Sequence, residues 1–158
     1  MALNPYAQFL GDRDPHEVVR QTPALLMAIA DRLNPDQLER RPAAGKWNAR
    51  EILCHLADSE IAYGFRLRQT LADTHHVIQP FDQERWAAEY ESLTAGGALD
   101  VFSALRAWNI ALINSASDAA MDKAVTHPER GTMTFRTIVE TMAGHDLNHL
   151  LQLEKLTR

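Results

Sequence analysis

Apolar residues recur three and four positions apart along most of this chain, the spacing of amphipathic helices, and four long segments carry the pattern. The first begins at Asp14-Pro15-His16-Glu17, an N-cap followed by a helix-starting proline, and runs through Val18, Leu25, Leu26 and Ile29. It should stop near Asn34-Pro35. The second starts at Trp47-Asn48-Ala49-Arg50-Glu51-Ile52, where Asn48 caps, Glu51 reaches back and Trp47 staples onto Ile52; its stripe of Ile52, Leu56, Ser59, Tyr63 and Leu67 extends to about Ala72. A loop with His75, His76 and Pro80 follows, and Phe81-Asp82 opens a shorter helix holding Trp86 and Tyr90. After a break at Gly96-Gly97, Val101, Phe102, Leu105, Trp108, Leu112 and Ala116 mark the third long helix. His127 to Gly131 reads as a loop, and Thr134 caps a last helix whose stripe is Phe135, Ile138, Met142, His145, His149, Leu153 and Leu156. Helices of roughly 20 residues with short connections predict an all-α fold, a four-helix bundle with one short extra helix between the second and third long helices. No repeat or linker interrupts residues 1–158, so one domain is expected.

Composition agrees with that pattern. Ala and Leu supply 42 residues and the β-branched Val and Ile only 13, a balance that favours helices over sheets. Charge narrows the function. The net charge is −5 with only three lysines (Lys46, Lys123 and Lys155), which argues against nucleic-acid binding. The chain shows no secretory leader and no apolar run long enough to span a bilayer, and its single cysteine, Cys54, offers no disulfide framework. A cytoplasmic protein without membrane contact is expected, with Cys54 as a small buried hydrophobe.

The candidate chemistry lies in the histidines. His145 and His149 occupy positions of the last stripe that a bundle core fills with Leu, and their i, i+4 spacing aims both imidazoles from one face toward a shared point. His55 stands at the edge of the second helix's stripe, about 10 Å inside its start by the helical rise. His149 and His145 lie about 10 and 16 Å from the end of the last helix, so antiparallel packing of these two helices brings all three to a similar level. Neutral imidazoles suit Zn, Ni or Fe, and three protein ligands leave positions open, as catalytic sites do. Asp58, one turn beyond His55, is a candidate fourth ligand or an orienting partner for an imidazole.

The segments Trp47-Asn48-Ala49-Arg50-Glu51-Ile52-Leu53-Cys54-His55-Leu56-Ala57-Asp58 and Gly144-His145-Asp146-Leu147-Asn148-His149-Leu150-Leu151-Gln152 resemble the two signatures of the DinB-like four-helix-bundle metalloproteins. The resemblance extends over roughly residues 15 to 156. It implies a divalent metal on His55, His145 and His149 at one end of the bundle, a homodimer, and a small-molecule substrate. It also implies a metal-dependent enzyme, either a transferase or isomerase using a low-molecular-weight thiol co-substrate or a hydrolase. The contrasting expectation is a non-catalytic dimeric bundle acting as a stress-response or binding module. Elsewhere, patterning reads His16, His75, His76 and His127 as surface positions and turns Glu60 and Asp146 away from the stripe. It leaves Arg66 and Arg68 on a solvated face, with an acidic substrate as the alternative, and reads Trp86, Tyr90 and Trp108 as core or dimer contacts.

Overall fold

In the computed structural model, which describes residues 2–157, the helices are α1 (Ala7–Leu10), α2 (Pro15–Ala30), α3 (Pro35–Glu39), α4 (Ala49–Ala72), α5 (Gln83–Ala87), α6 (Ala95–Ser115), α7 (Asp118–Met121) and α8 (Phe135–Leu156). Three short strands accompany them: β1 (His76–Val77), β2 (Ala124–His127) and β3 (Gly131–Thr134). The starts read from sequence are the observed ones wherever a cap decides them. Asp14 caps α2, Asn48 and Glu51 close a capping box on α4, and Thr134 caps α8. Three boundaries differ, one of them in the short extra helix, where α5 stops at Ala87 and Tyr90 falls in a separate 3-10 turn, Tyr90–Ser92. Helix α2 ends at Ala30, and Asn34-Pro35, a stop signal in the pattern, instead caps and opens the separate α3. Gly96 and Gly97 do not break the chain but lie in the first turn of α6, where Thr94 caps and intrahelical bonds are not yet required.

The four long helices form the bundle, with α2 against α6 and α8, and α4 against the same two. Pairs α2/α4 and α6/α8 therefore occupy the diagonals. Two core clusters give the directions. One holds the start of α2 (Val18, Val19) with the ends of α4 and α6 (Leu67, Ile113) and the start of α8 (Phe135, Ile138). The other holds the end of α2 (Leu26, Ile29) with the starts of α4 and α6 (Ile52, Phe102) and the end of α8 (Leu153, Leu156). Helices α4 and α8 thus run antiparallel, whereas α4 and α6 run parallel. A parallel pair needs a return path, and residues 73–94, where the pattern predicts the loop and the short extra helix, form that crossover. Tyr90 pins it by donating its hydroxyl to Asp58 Oδ2 (2.8 Å), and Arg50 Nη1 donates to the Tyr90 carbonyl (2.5 Å). The small sheet, which helical periodicity could not foresee in strands of two to four residues, joins the crossover to the α7–α8 connection: β1 pairs parallel with β2, and β2 antiparallel with β3.

The face of α6 also differs from the pattern. Trp108 (69% exposed) and Val101 (44%) point outward, while Arg106 and Asn109 are buried. Arg106 reaches one group on each of the other three long helices. It binds Glu60 of α4 (2.8 and 3.0 Å), Asp146 of α8 (2.6 and 3.1 Å) and the Val19 carbonyl of α2 (3.0 Å). That carbonyl needs a partner because Pro23, four residues on inside α2, has no N–H to offer it. Asn109 adds a bond to Glu60 Oε1 (2.8 Å). Close approach of α4 and α6 relies on Gly64, where a Cβ would stand 2.9 Å from Asn109 Oδ1. Among the described residues, no helix is long and apolar enough to cross a membrane.

Replacing Arg106 by Met leaves two buried carboxylates without their cation, and the expected cost is about 3–5 kcal/mol in urea unfolding. Trp108→Ala, on a face exposed within the single chain, should change stability by less than about 0.5 kcal/mol in the same assay at protein concentrations where the chain is monomeric. Equal effects of the two would contradict the observed rotation of α6.

Candidate metal centre

Antiparallel α4 and α8 carry the three stripe histidines to one level, and all three are buried. His145 Nε2 lies 3.0 Å from His55 Nε2 and 3.2 Å from His149 Nε2. Together they are a group of three whose ligand atoms all fall within 4.8 Å of one another. Burial removes water from the charged forms. It depresses the His55 imidazole to about 3, with His149 adding repulsion, and His149 to about 4, opposed by its bond to Gln152. His145 is held well below its ordinary value by burial and by its two neighbours. All three rings are therefore neutral near pH 7.

Neutral rings carry one proton each, and the surroundings decide where it sits. His149 Nδ1–H donates to Gln152 Oε1 (3.0 Å), which leaves the Nε2 lone pair facing the other two rings. Nδ1 of His55 and of His145 is buried with no hydrogen-bond partner among the described residues. Packing orients those rings instead. Trp47 lies against His55 (centroids 4.7 Å), and Tyr6 and Tyr63 meet His145 edge-on (5.1 and 5.9 Å). Ser59 Oγ stands 3.4 Å from His55 Nε2. Three converging Nε2 atoms, each a lone-pair donor when its ring carries the proton on Nδ1 as His149 does, match what a divalent ion of intermediate softness requires.

Two cavities open on the rings. The smaller, about 180 Å³, includes His55, His145, Tyr63, Arg66, His127 and Arg130 in its wall. The larger, about 580 Å³, reaches His149 and is bounded by Trp47, Ile52, Lys46 and Lys155. Tyr6 and Gln83 contribute to both.

Several expectations change here. Asp58 does not join the rings; it accepts from Tyr90 and anchors the crossover. Glu60 and Asp146 do turn from the stripe, but into the ion pairs of Arg106. His127 is buried and lines the smaller cavity, because β2 carries it inward, and His76 is buried too, while His75 stays exposed. Arg66 lines that cavity, whereas Arg68 is spent on the Gly64 carbonyl and Asn109 (2.9 and 2.7 Å). Cys54 is buried and its thiol is pushed up by desolvation, as a packing residue would be. Sequence patterning missed Tyr6. The only trace of it is Gly144 before His145: a Cβ there would stand 2.5 Å from the Tyr6 carbonyl, so the N-terminal segment needs that glycine to pack on α8.

Known proteins are similar to this chain. YfiT of Bacillus subtilis is 25% identical over 145 residues, covering 90% of this chain and 82% of its own length. A relative from Oceanobacillus iheyensis is 28% identical over 141 residues, covering 89% and 82%. Both carry the provisional name of metal-dependent hydrolase. The solved structure of YfiT, described as a four-helix bundle of unusual topology, matches with a TM-score of 0.85 at 22% identity over 91% of this chain and 84% of that one. A mycothiol-dependent maleylpyruvate isomerase matches with a TM-score of 0.69 at 12% identity, over 97% of this chain but 63% of the other. At such identities the structural likeness speaks for the fold. The profile of the DinB superfamily matches residues 19–153, from within α2 almost to the end of α8, and the chain belongs to that superfamily.

Proposed function

We propose that His55, His145 and His149 hold one divalent metal ion, Zn, Ni or Fe, through their Nε2 atoms, and that the protein is a metal-dependent enzyme acting on a small molecule at this centre. The observation that carries the reading is the convergence of three buried, neutral imidazole nitrogens. Left to themselves these rings are costly. Two buried Nδ1 atoms lack partners among the described residues, at about 1–3 kcal/mol each, and the Nε2 atoms of His55 and His149 crowd within 3.0 and 3.2 Å of that of His145. Coordination through Nε2 would turn that crowding of ring nitrogens into a set of ligand bonds. Held by three imidazoles, such an ion retains open positions, polarises a bound oxygen and lowers the pKa of a water or thiol.

The chain's own groups frame that chemistry. Gln152 fixes the His149 tautomer, and Trp47 and Tyr63 keep the His55 and His145 rings in place. Burial holds the Tyr63 hydroxyl protonated, so it serves as a donor. Phe81 of the crossover adds an apolar wall to the smaller cavity. Hydrolysis and thiol-dependent transfer both fit this frame. The larger cavity on His149 favours the second, since it gives a low-molecular-weight thiol its own approach beside a substrate in the smaller one. The neighbour named as mycothiol-dependent supports the same reading. The proposal extends to a cytoplasmic homodimer, with the second copy covering the outer face of α4 and α6, where Ile61, Phe65, Val101 and Trp108 are exposed.

Metal analysis of the purified protein should give near one equivalent per chain, lost in His149→Ala with helicity retained in circular dichroism. Gln152→Leu, which frees the His149 ring, should weaken metal affinity about 10–100-fold. Equal metal content in wild type and His149→Ala would contradict the site. Chelation should abolish activity and leave the helical content intact, because a core of this size stands without metal; unfolding on chelation would instead mark a structural ion. Sedimentation should show a dimer that Trp108→Arg converts to monomer, and an unchanged dimer would remove that face from the interface.

A further inference from the structure

We propose that Arg66 and Arg130 form a receptor for an anionic oxygen group of the substrate, a carboxylate or phosphate, beside the histidine cluster. This rests on the reading of the cluster as a reaction centre, and it names the class of molecule that would bind there.

Both arginines line the cavity of about 180 Å³ whose wall includes His55 and His145. Arg66 comes from α4, about three turns beyond His55, and Arg130 from the turn between β2 and β3. Seven other arginines have carboxylate partners. Neither Arg66 nor Arg130 makes an ion pair or a side-chain hydrogen bond among the described residues. The cavity wall holds one carboxylate, Glu129, and it lies beyond ion-pair distance of both. The cavity is therefore cationic, in a protein whose net charge is −5.

Arg66 is nevertheless held in place. Its Cζ sits 5.7 Å from the centres of both the Tyr63 and the Phe81 rings. Such contacts engage a guanidinium through its π face and do not consume its N–H donors, so the fork that matches an oxyanion stays available. His127 adds a neutral donor. Its Nδ1 accepts the Glu129 backbone N–H (3.2 Å), which leaves the ring proton on Nε2. The turn carrying Arg130 is set by Gly131, whose φ of +91° suits a residue without a Cβ, and by the pairing of β2 with β3. Two partly buried guanidiniums without counter-ions in a small cavity form a site whose charge an oxyanion would complete. A substrate anchored there would have its reacting end within reach of the histidines.

Calorimetric titration with succinate and with inorganic phosphate tests this on the full chain, metal-free and zinc-loaded. Binding to the metal-free protein is expected, roughly tenfold weaker in Arg66→Gln and in Arg130→Gln, with neutral succinamide giving no heat. Whichever anion binds tighter identifies the source of the oxygen group. Both variants should keep the wild-type zinc content and circular dichroism, while His149→Ala should lose zinc yet retain its succinate affinity. No anion binding, or binding unchanged in the arginine variants, would overturn the receptor and leave the metal reading standing. Anion binding in a protein that takes up no zinc would do the reverse.

Discussion

The guanidinium of Arg106 is the constraint on which the remaining geometry depends. One side chain of α6 engages Glu60 on α4, Asp146 on α8 and the carbonyl that Pro23 frees on α2, so all four long helices meet at one buried point. Burial disfavours the guanidinium charge, but the fields and hydrogen bonds of the two carboxylates outweigh it and hold the proton on. Such a network adds less to stability than its bond count suggests, because three charges must leave water. Its effect is on register. Ion pairs with fixed distances do not slide, whereas an interface of Ala and Leu can.

Register is what the histidines require. Asp146 directly follows His145, and Glu60 lies five residues beyond His55, so the clamp that fixes Glu60 against Asp146 also fixes the level of the two imidazoles. A slip of one turn between α4 and α8 would move His55 by about 5.4 Å and dissolve the cluster. The arrangement separates labour within the core: a charged knot holds the helices, and beside it stand three neutral rings, of which, among the described residues, only His149 has a hydrogen-bond partner, Gln152, on its Nδ1.

Legibility in the sequence followed the range of the forces involved. Caps are local, so Asp14, Asn48 and Thr134 were readable, and so were the stripes of α4 and α8 that contain His55, His145 and His149. The face of α6 was not, because an apolar count places Trp108 inward and Arg106 outward until Glu60 and Asp146 are known to meet the guanidinium. The same non-local dependence hid the cavity. His127 and Arg130 reach it only through a sheet of very short strands, and Tyr6 only through an N-terminal segment resting on Gly144. Asp58 misled for the converse reason, since its partner Tyr90 arrives by a crossover that helical periodicity does not describe.

The central claim is that the three imidazoles act together on one ion. Anomalous diffraction at the absorption edge of the metal taken up by the purified protein tests it most directly. The account predicts a single strong peak per chain, bonded to the Nε2 atoms of His55, His145 and His149. A peak bound elsewhere, or one held by only one of these rings, would contradict it.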